Sequence, residues 1–134
     1  IVATLDRETQ RGALVSFGDS TLAWVGADGE QRLNQKLRRF VTLHRPQSLL
    51  PGWGHVAAFD VASGGLLVAF TDGIDECHYG APRTSVRGRH RTQLFRDVGP
   101  DPGAFADRVA RLALAGVGGR PGGQDNVAVV VART

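Results

Sequence analysis

The chain has 134 residues, 42% of them hydrophobic and 22% charged, with sixteen basic residues against thirteen acidic ones for a net charge of +3. That is the length and composition of one globular domain, with enough apolar material for a core of its own. A single cysteine excludes an intrachain disulfide, and no apolar run approaches the ~20 residues of a membrane-spanning helix.

The elements follow in chain order. Residues 1–5, 13–17 and 21–25 read as β-strands, rich in β-branched and other apolar side chains and separated by polar turns. Asp28-Gly29 is a hairpin-turn signal. Residues 31–43 are ambiguous between strand and short helix, and 46–54, with two prolines and two glycines, read as loop. Residues 55–61 and 66–70 flank Ala62-Ser63-Gly64-Gly65 and predict a hairpin, whose wholly apolar second arm reads as a strand covered on both faces. Residues 78–102 are polar, basic and rich in turn formers. From Gly103 to Ala115, Phe105, Val109, Leu112 and Ala113 recur at helical spacing, with Asp107 and Arg111 four apart, and Gly116 ends the pattern. An apolar strand over 127–132 closes the chain. The expected fold class is α+β, with mainly antiparallel strands, one late helix and one basic loop.

Composition also bears on context. The chain begins at Ile1, contains no methionine, and is expected to be a piece of a longer protein. Arginine supplies fifteen of the sixteen basic residues and glycine eighteen positions, as in a GC-rich bacterial genome. The lone cysteine suits a reducing compartment, so a cytoplasmic location is expected. The basic residues gather at 32–45 and 83–96, but the net excess is small, and neither nucleic acid nor membrane is an expected partner.

Three aspartates occupy equivalent places. Asp19 follows Val15-Ser16-Phe17-Gly18, Asp72 follows Leu67-Val68-Ala69-Phe70-Thr71, and Asp125 precedes Asn126-Val127-Ala128. Each stands at the end of an apolar strand beside turn residues. Taken singly, each is an ordinary turn acid. Brought to one rim by neighbouring strands, the three carboxylates would repel one another and call for a hard divalent cation, Mg2+ or Mn2+ rather than zinc. Cys77-His78 has no second Cys/His pair at zinc spacing and reads as plain loop.

In this order the segments Gly18-Asp19-Ser20, Thr71-Asp72-Gly73 and Asp125-Asn126 resemble the Gly-Asp-Ser, Ser/Thr-Asp-Gly and Asp-Asn motifs of the metal-dependent protein serine/threonine phosphatases of type 2C. The resemblance covers nearly the whole chain but only the later part of that family's domain, so residues 1–134 are expected to be its C-terminal portion. It implies part of an α-β-β-α sandwich with a centre of two Mn2+ or Mg2+ ions at one end. There a metal-activated water hydrolyses phosphoserine or phosphothreonine in a protein. Carried over by motif, Asp72 and Asp125 would hold one core ion, and Asp19 with Asp72 a third, weaker one. Arg87 and Arg89, in the basic stretch where the family carries a variable flap, would bind the phosphorylated protein.

The departures are as informative. The family's early half carries an Asp-Gly-x-Gly-Gly motif whose aspartate bridges the metals, a phosphate-binding arginine and a proposed general-acid histidine. This sequence has none of these segments, and Asp28-Gly29, followed by Glu30-Gln31, does not substitute. The chain is therefore expected to hold half of a metal site and to depend on the missing N-terminal part of the domain. The rival reading is a catalytically inactive phosphatase-like module that senses or binds a protein partner. Asp75 and Glu76 read as capping or beginning a turn after Gly73, with Asp75 a solvated acid and the orienting of a metal-bound water its alternative role.

Overall fold

The structure is a computed structural model that describes residues 1–37, 54–79 and 84–134. The loop expected over 46–54 and the second half of the ambiguous 31–43 stretch lie almost wholly outside the described residues.

Among the described residues, seven strands form two antiparallel sheets. Strands β1 (Val2–Asp6), β2 (Arg11–Ser16) and β5 (His55–Asp60) make a three-stranded sheet in the order β1-β2-β5. Strands β3 (Thr21–Gly26), β4 (Gly29–Arg32), β6 (Leu66–Phe70) and β7 (Val129–Arg133) make a four-stranded sheet in the order β4-β3-β6-β7. A one-turn helix α1 (Asp72–Asp75) follows β6, and two longer helices, α2 (Gly88–Val98) and α3 (Pro102–Ala115), precede β7. Among the described residues no helix is long and apolar enough to cross a membrane.

The expected α+β class with antiparallel strands is the observed one, and the strand alternation explains the layers. Along β3 and β6, Ala23, Val25, Leu66, Val68 and Phe70 pack with Phe105, Val109 and Ala113 of α3. The opposite-facing Leu22, Trp24, Leu67 and Ala69 pack with Leu14 and Phe59 of the three-stranded sheet. β6 is thus covered on both faces, as its unbroken apolar run predicts. The predicted partner of β6 is different, however. β5 pairs with β2, Arg11 opposite Asp60, whereas β6 pairs with β3 and β7. Residues 61–65 therefore carry the chain from one sheet to the other instead of closing a hairpin. β5 has one covered face and leaves Val56 72% exposed, so it fits the edge of the outer sheet and not the centre of the inner one.

α3 begins one residue before the expected start. Asp101 caps it, its carboxylate accepting the Ala104 N–H at 3.0 Å, and Pro102 supplies the first turn. Its buried face is Phe105, Val109 and Ala113, Asp107 pairs with Arg111 at 2.7 Å, and Gly116 turns the chain away at φ 83°. Asp101→Ala is expected to lower stability by about 1 kcal/mol in a urea titration, the usual cost of a lost helix cap. α2 occupies the stretch expected to be a basic connection. Its buried residues are Arg91, Thr92 and Phe95, so an arginine takes a place on the core-facing stripe.

Candidate functional site

The four-stranded sheet brings the ends of β6 and β7 side by side, and Thr71 fastens them. Its backbone N–H donates to the Ala128 carbonyl at 3.1 Å. Its hydroxyl donates to the Asn126 carbonyl at 2.8 Å and accepts the Ala128 N–H at 3.1 Å. Asp72 follows at the first position of α1. Gly73 then lies directly against the segment that carries Asp125, for a Cβ there would collide with the Asn126 carbonyl oxygen. A second tie comes from the far side of α1. The Gln124 N–H donates to the Cys77 carbonyl at 3.2 Å, and the Tyr79 N–H to the Gln124 side-chain oxygen at 2.8 Å.

These ties place Asp72 beside other carboxylates. Partial burial raises its pKa above the ordinary 3.8, and the nearby charges of Asp19, Asp125 and Glu76 raise it further, while Lys36 acts in the opposite direction. Asp125 is stabilised as the anion by the Tyr79 hydroxyl and by the Asn126 N–H, at 2.7 Å from its Oδ1. The same contact holds the Tyr79 phenol in its neutral form, pushing its pKa up to about 12. Asp72 therefore lies within electrostatic reach of both Asp19 and Asp125.

Carboxylate oxygen is the donor chemistry of a hard divalent cation, and mutual repulsion at Asp72 is what such a cation would relieve. In number the donors fall short: among the described residues no three His, Cys, Asp or Glu side chains stand close enough to hold a metal ion. The fit is that of part of a site, one wall of carboxylates.

The two arginines of the basic stretch are separated. Arg87, the residue before α2, lines a cleft of about 350 Å³ with Arg32, Lys36, Asp75, Glu76, His78 and Tyr79. Arg89, the second residue of the helix and exposed, lines a different groove beside Asp28, Glu30 and Arg96. Cys77 is fully buried in the core and His78 Nδ1 lies 3.0 Å from the Thr84 hydroxyl. Asp75 is not the solvated acid expected of it. It is 3% exposed and ion-paired with Arg32 at 2.8 Å and Arg91 at 3.0 Å. Tyr79 escapes the sequence reading altogether, since a lone tyrosine in a polar loop carries no signal.

Gly73→Ala tests the close approach of the two motif segments. The added methyl must move the Asn126 backbone, and overpacking of this kind costs about 1–3 kcal/mol. The expected result is a lower urea midpoint together with weaker divalent-cation binding. Unchanged stability and binding would show that the segments are less tightly apposed.

The comparisons with known proteins agree with this geometry. The family model described as Stage II sporulation protein E (SpoIIE) matches residues 1–134. None of the curated proteins matches the chain significantly. Among solved structures, the phosphatase domain of the cell fate determinant SpoIIE from Bacillus subtilis is similar at 18% identity and TM-score 0.57, covering 98% of this chain and 56% of that one. The serine/threonine phosphatase PstP/Ppp of Mycobacterium tuberculosis is similar at 19% identity and TM-score 0.60, covering 91% and 54%. A PstP catalytic domain in complex with two manganese ions is similar at 20% identity and TM-score 0.61, covering 91% and 53%. At these identities the likeness is one of fold. The chain spans about half the length of each of these structures.

Proposed function

We propose, for a chain that belongs to the Stage II sporulation protein E (SpoIIE) family and has the fold of a partial type 2C phosphatase domain, that it supplies one wall of a metal-dependent phosphatase site acting on phosphoserine or phosphothreonine in proteins. The observation that carries this reading is the pairing of β6 with β3 and β7, which sets Asp72 within electrostatic reach of Asp19 and of Asp125. Asp72 and Asp125 would hold one divalent cation, Mn2+ or Mg2+, and Asp19 with Asp72 a weaker one. A cation bound there supplies positive charge that polarises a phosphoryl oxygen and acidifies water.

The remaining roles fall to the chain's own groups. Thr71 and Gly73 hold the two acidic segments together. Tyr79, neutral well above physiological pH, keeps Asp125 oriented and ionised. Arg87, with Arg32 and Lys36, lines the cleft beside Glu76 and would attract the phosphorylated substrate by charge. The donors the wall lacks would come from a preceding portion of the same domain, in line with the half-length match to the solved phosphatases. We place the protein in a bacterial cytoplasm on its composition and its single, unpaired cysteine.

Phosphate release from phosphoserine and phosphothreonine peptides by the full-length protein, with Mn2+ and with chelator, tests the proposal. Release that requires Mn2+ supports it. The shortfall of donors also supports a second reading, a phosphatase-like module that binds a protein partner without hydrolysis. A folded full-length protein that binds phosphopeptide but releases no phosphate at any Mn2+ concentration would favour that reading.

A further inference from the structure

The core beneath the acidic wall contains a buried ion network that a hydrophobic core does not require. Arg91 of α2 is 2% exposed. Its Nε and Nη2 donate to the two carboxylate oxygens of Glu30 on β4, the latter at 2.8 Å. Its Nη1 donates to Asp75 Oδ1 at 3.0 Å and to the Val86 carbonyl at 3.2 Å. Its guanidinium carbon lies 4.4 Å from the centre of the Phe70 ring. Asp75 receives Arg32 on its other oxygen at 2.8 Å, with Lys36 Nζ 3.5 Å away. Gly88 permits this arrangement, since a Cβ there would stand 3.2 Å from Glu30 Oε1.

The points of contact have a pattern. Phe70 ends β6, Asp75 ends α1, and Asp72 lies between them. One guanidinium therefore grips the segment on both sides of Asp72: it stacks on Phe70, two residues before, and pairs with Asp75, three residues after. Glu30 holds the guanidinium plane from β4. Ion pairs buried at this depth add little to stability over a well-packed apolar substitute, because desolvation offsets the attraction. What a planar fork provides and an apolar side chain does not is a fixed direction for each contact.

We infer that Arg91 is a positioning residue, which with Glu30 and Asp75 fixes the α1 turn and so holds the Asp72 carboxylate in place for its cation. The inference rests on the reading of Asp72 as a cation ligand.

The test is a calorimetric Mn2+ titration of the full-length protein, beside Arg91→Lys, Glu30→Gln, Asp72→Asn and Val61→Ala, each shown to be folded by circular dichroism. Arg91→Lys keeps the charge and loses the fork. Glu30→Gln keeps the shape and loses the charge that orients it. Both are expected to weaken Mn2+ binding about 10-fold or more, the usual effect of removing a group that orients a ligand. Val61→Ala loosens the second core, on the opposite face of the four-stranded sheet, without touching the network and should leave affinity within about twofold of wild type, as for sites that share no partner. The inference is overturned if Arg91→Lys and Glu30→Gln bind Mn2+ like wild type while Asp72→Asn does not, or if Val61→Ala weakens binding as much as they do. If Asp72→Asn itself binds like wild type, the reading of Asp72 as a ligand fails, and the inference fails with it.

Discussion

Replacing Arg91 by alanine is expected to lower the unfolding free energy by about 3–5 kcal/mol, the cost of leaving a buried charge without its partner. Arg91 is 2% exposed and Asp75 3% exposed, with Glu30 partly buried beside them. Burial opposes the guanidinium's charge, and Glu30 and Asp75 overcome that opposition, keeping it fully protonated. Removing it takes the guanidinium fork from Glu30, leaves Asp75 with Arg32 and Lys36, and empties the volume over the Phe70 ring. The two causes are separable. Arg91→Met refills the space and should remain destabilised, because Glu30 has still lost its guanidinium and Asp75 one of its three cationic partners. Adding Glu30→Gln and Asp75→Asn to Arg91→Met should restore much of the loss. Urea denaturation of the four proteins reads this directly. A loss below about 1 kcal/mol for Arg91→Ala would place the guanidinium in water, as for an exposed pair.

The second large effect is at Asp72, where stability and function are expected to move in opposite directions. In EDTA at neutral pH, Asp72→Asn should raise the melting temperature. Burial and the charges of Asp19, Asp125 and Glu76 disfavour the ionised carboxylate in the folded protein, so its pKa is raised above the ordinary 3.8. A raised carboxyl pKa subtracts from stability above that pKa, and the penalty fades as the pH falls through it toward 3.8. The advantage of Asp72→Asn should therefore shrink on acidification. With Mn2+ present the order reverses, since a cation that binds only the folded wild type stabilises it by mass action. Phosphatase activity should fall by about 100-fold or more, because loss of a mere orienting group already costs 10–100-fold. A variant with the wild-type melting temperature in EDTA, and the same rise on adding Mn2+, would remove Asp72 from the site.

Several of these features are legible in the sequence. α3 announces itself through Phe105, Val109 and Ala113, the Asp107–Arg111 pair and Gly116, all of them local signals that tertiary packing reinforces. β6 reads as doubly covered because no polar residue interrupts it. The three acidic motifs, in their order and spacing, are enough for the family resemblance, which the match over residues 1–134 bears out.

What was not legible depends on contacts far apart in the chain. Residues 62–65 carry a turn signal, but a turn does not decide which sheet the next strand joins. That choice follows from the faces each strand buries, and β5 has only one buried face while β6 has two. α2 was hidden because Arg91 occupies a core position on its stripe with Phe95 and Val98, and a sequence pattern scores arginine as surface. Asp75 looked solvated for the same reason: its partners Arg32 and Arg91 lie 43 and 16 residues away. Arg87 and Arg89 looked equivalent as neighbours in a basic run. The start of a helix between them directs one to the cleft beside Glu76 and Tyr79 and the other to the groove beside Glu30.

The most direct measurement is Mn2+-dependent hydrolysis of p-nitrophenyl phosphate by the full-length protein, set beside Asp72→Asn and Asp125→Asn at equal folded concentration. The account predicts turnover by the wild type that appears with Mn2+, vanishes with chelator, and is lost in both variants. Turnover that survives either substitution, or a folded and Mn2+-loaded wild type with none, would contradict it.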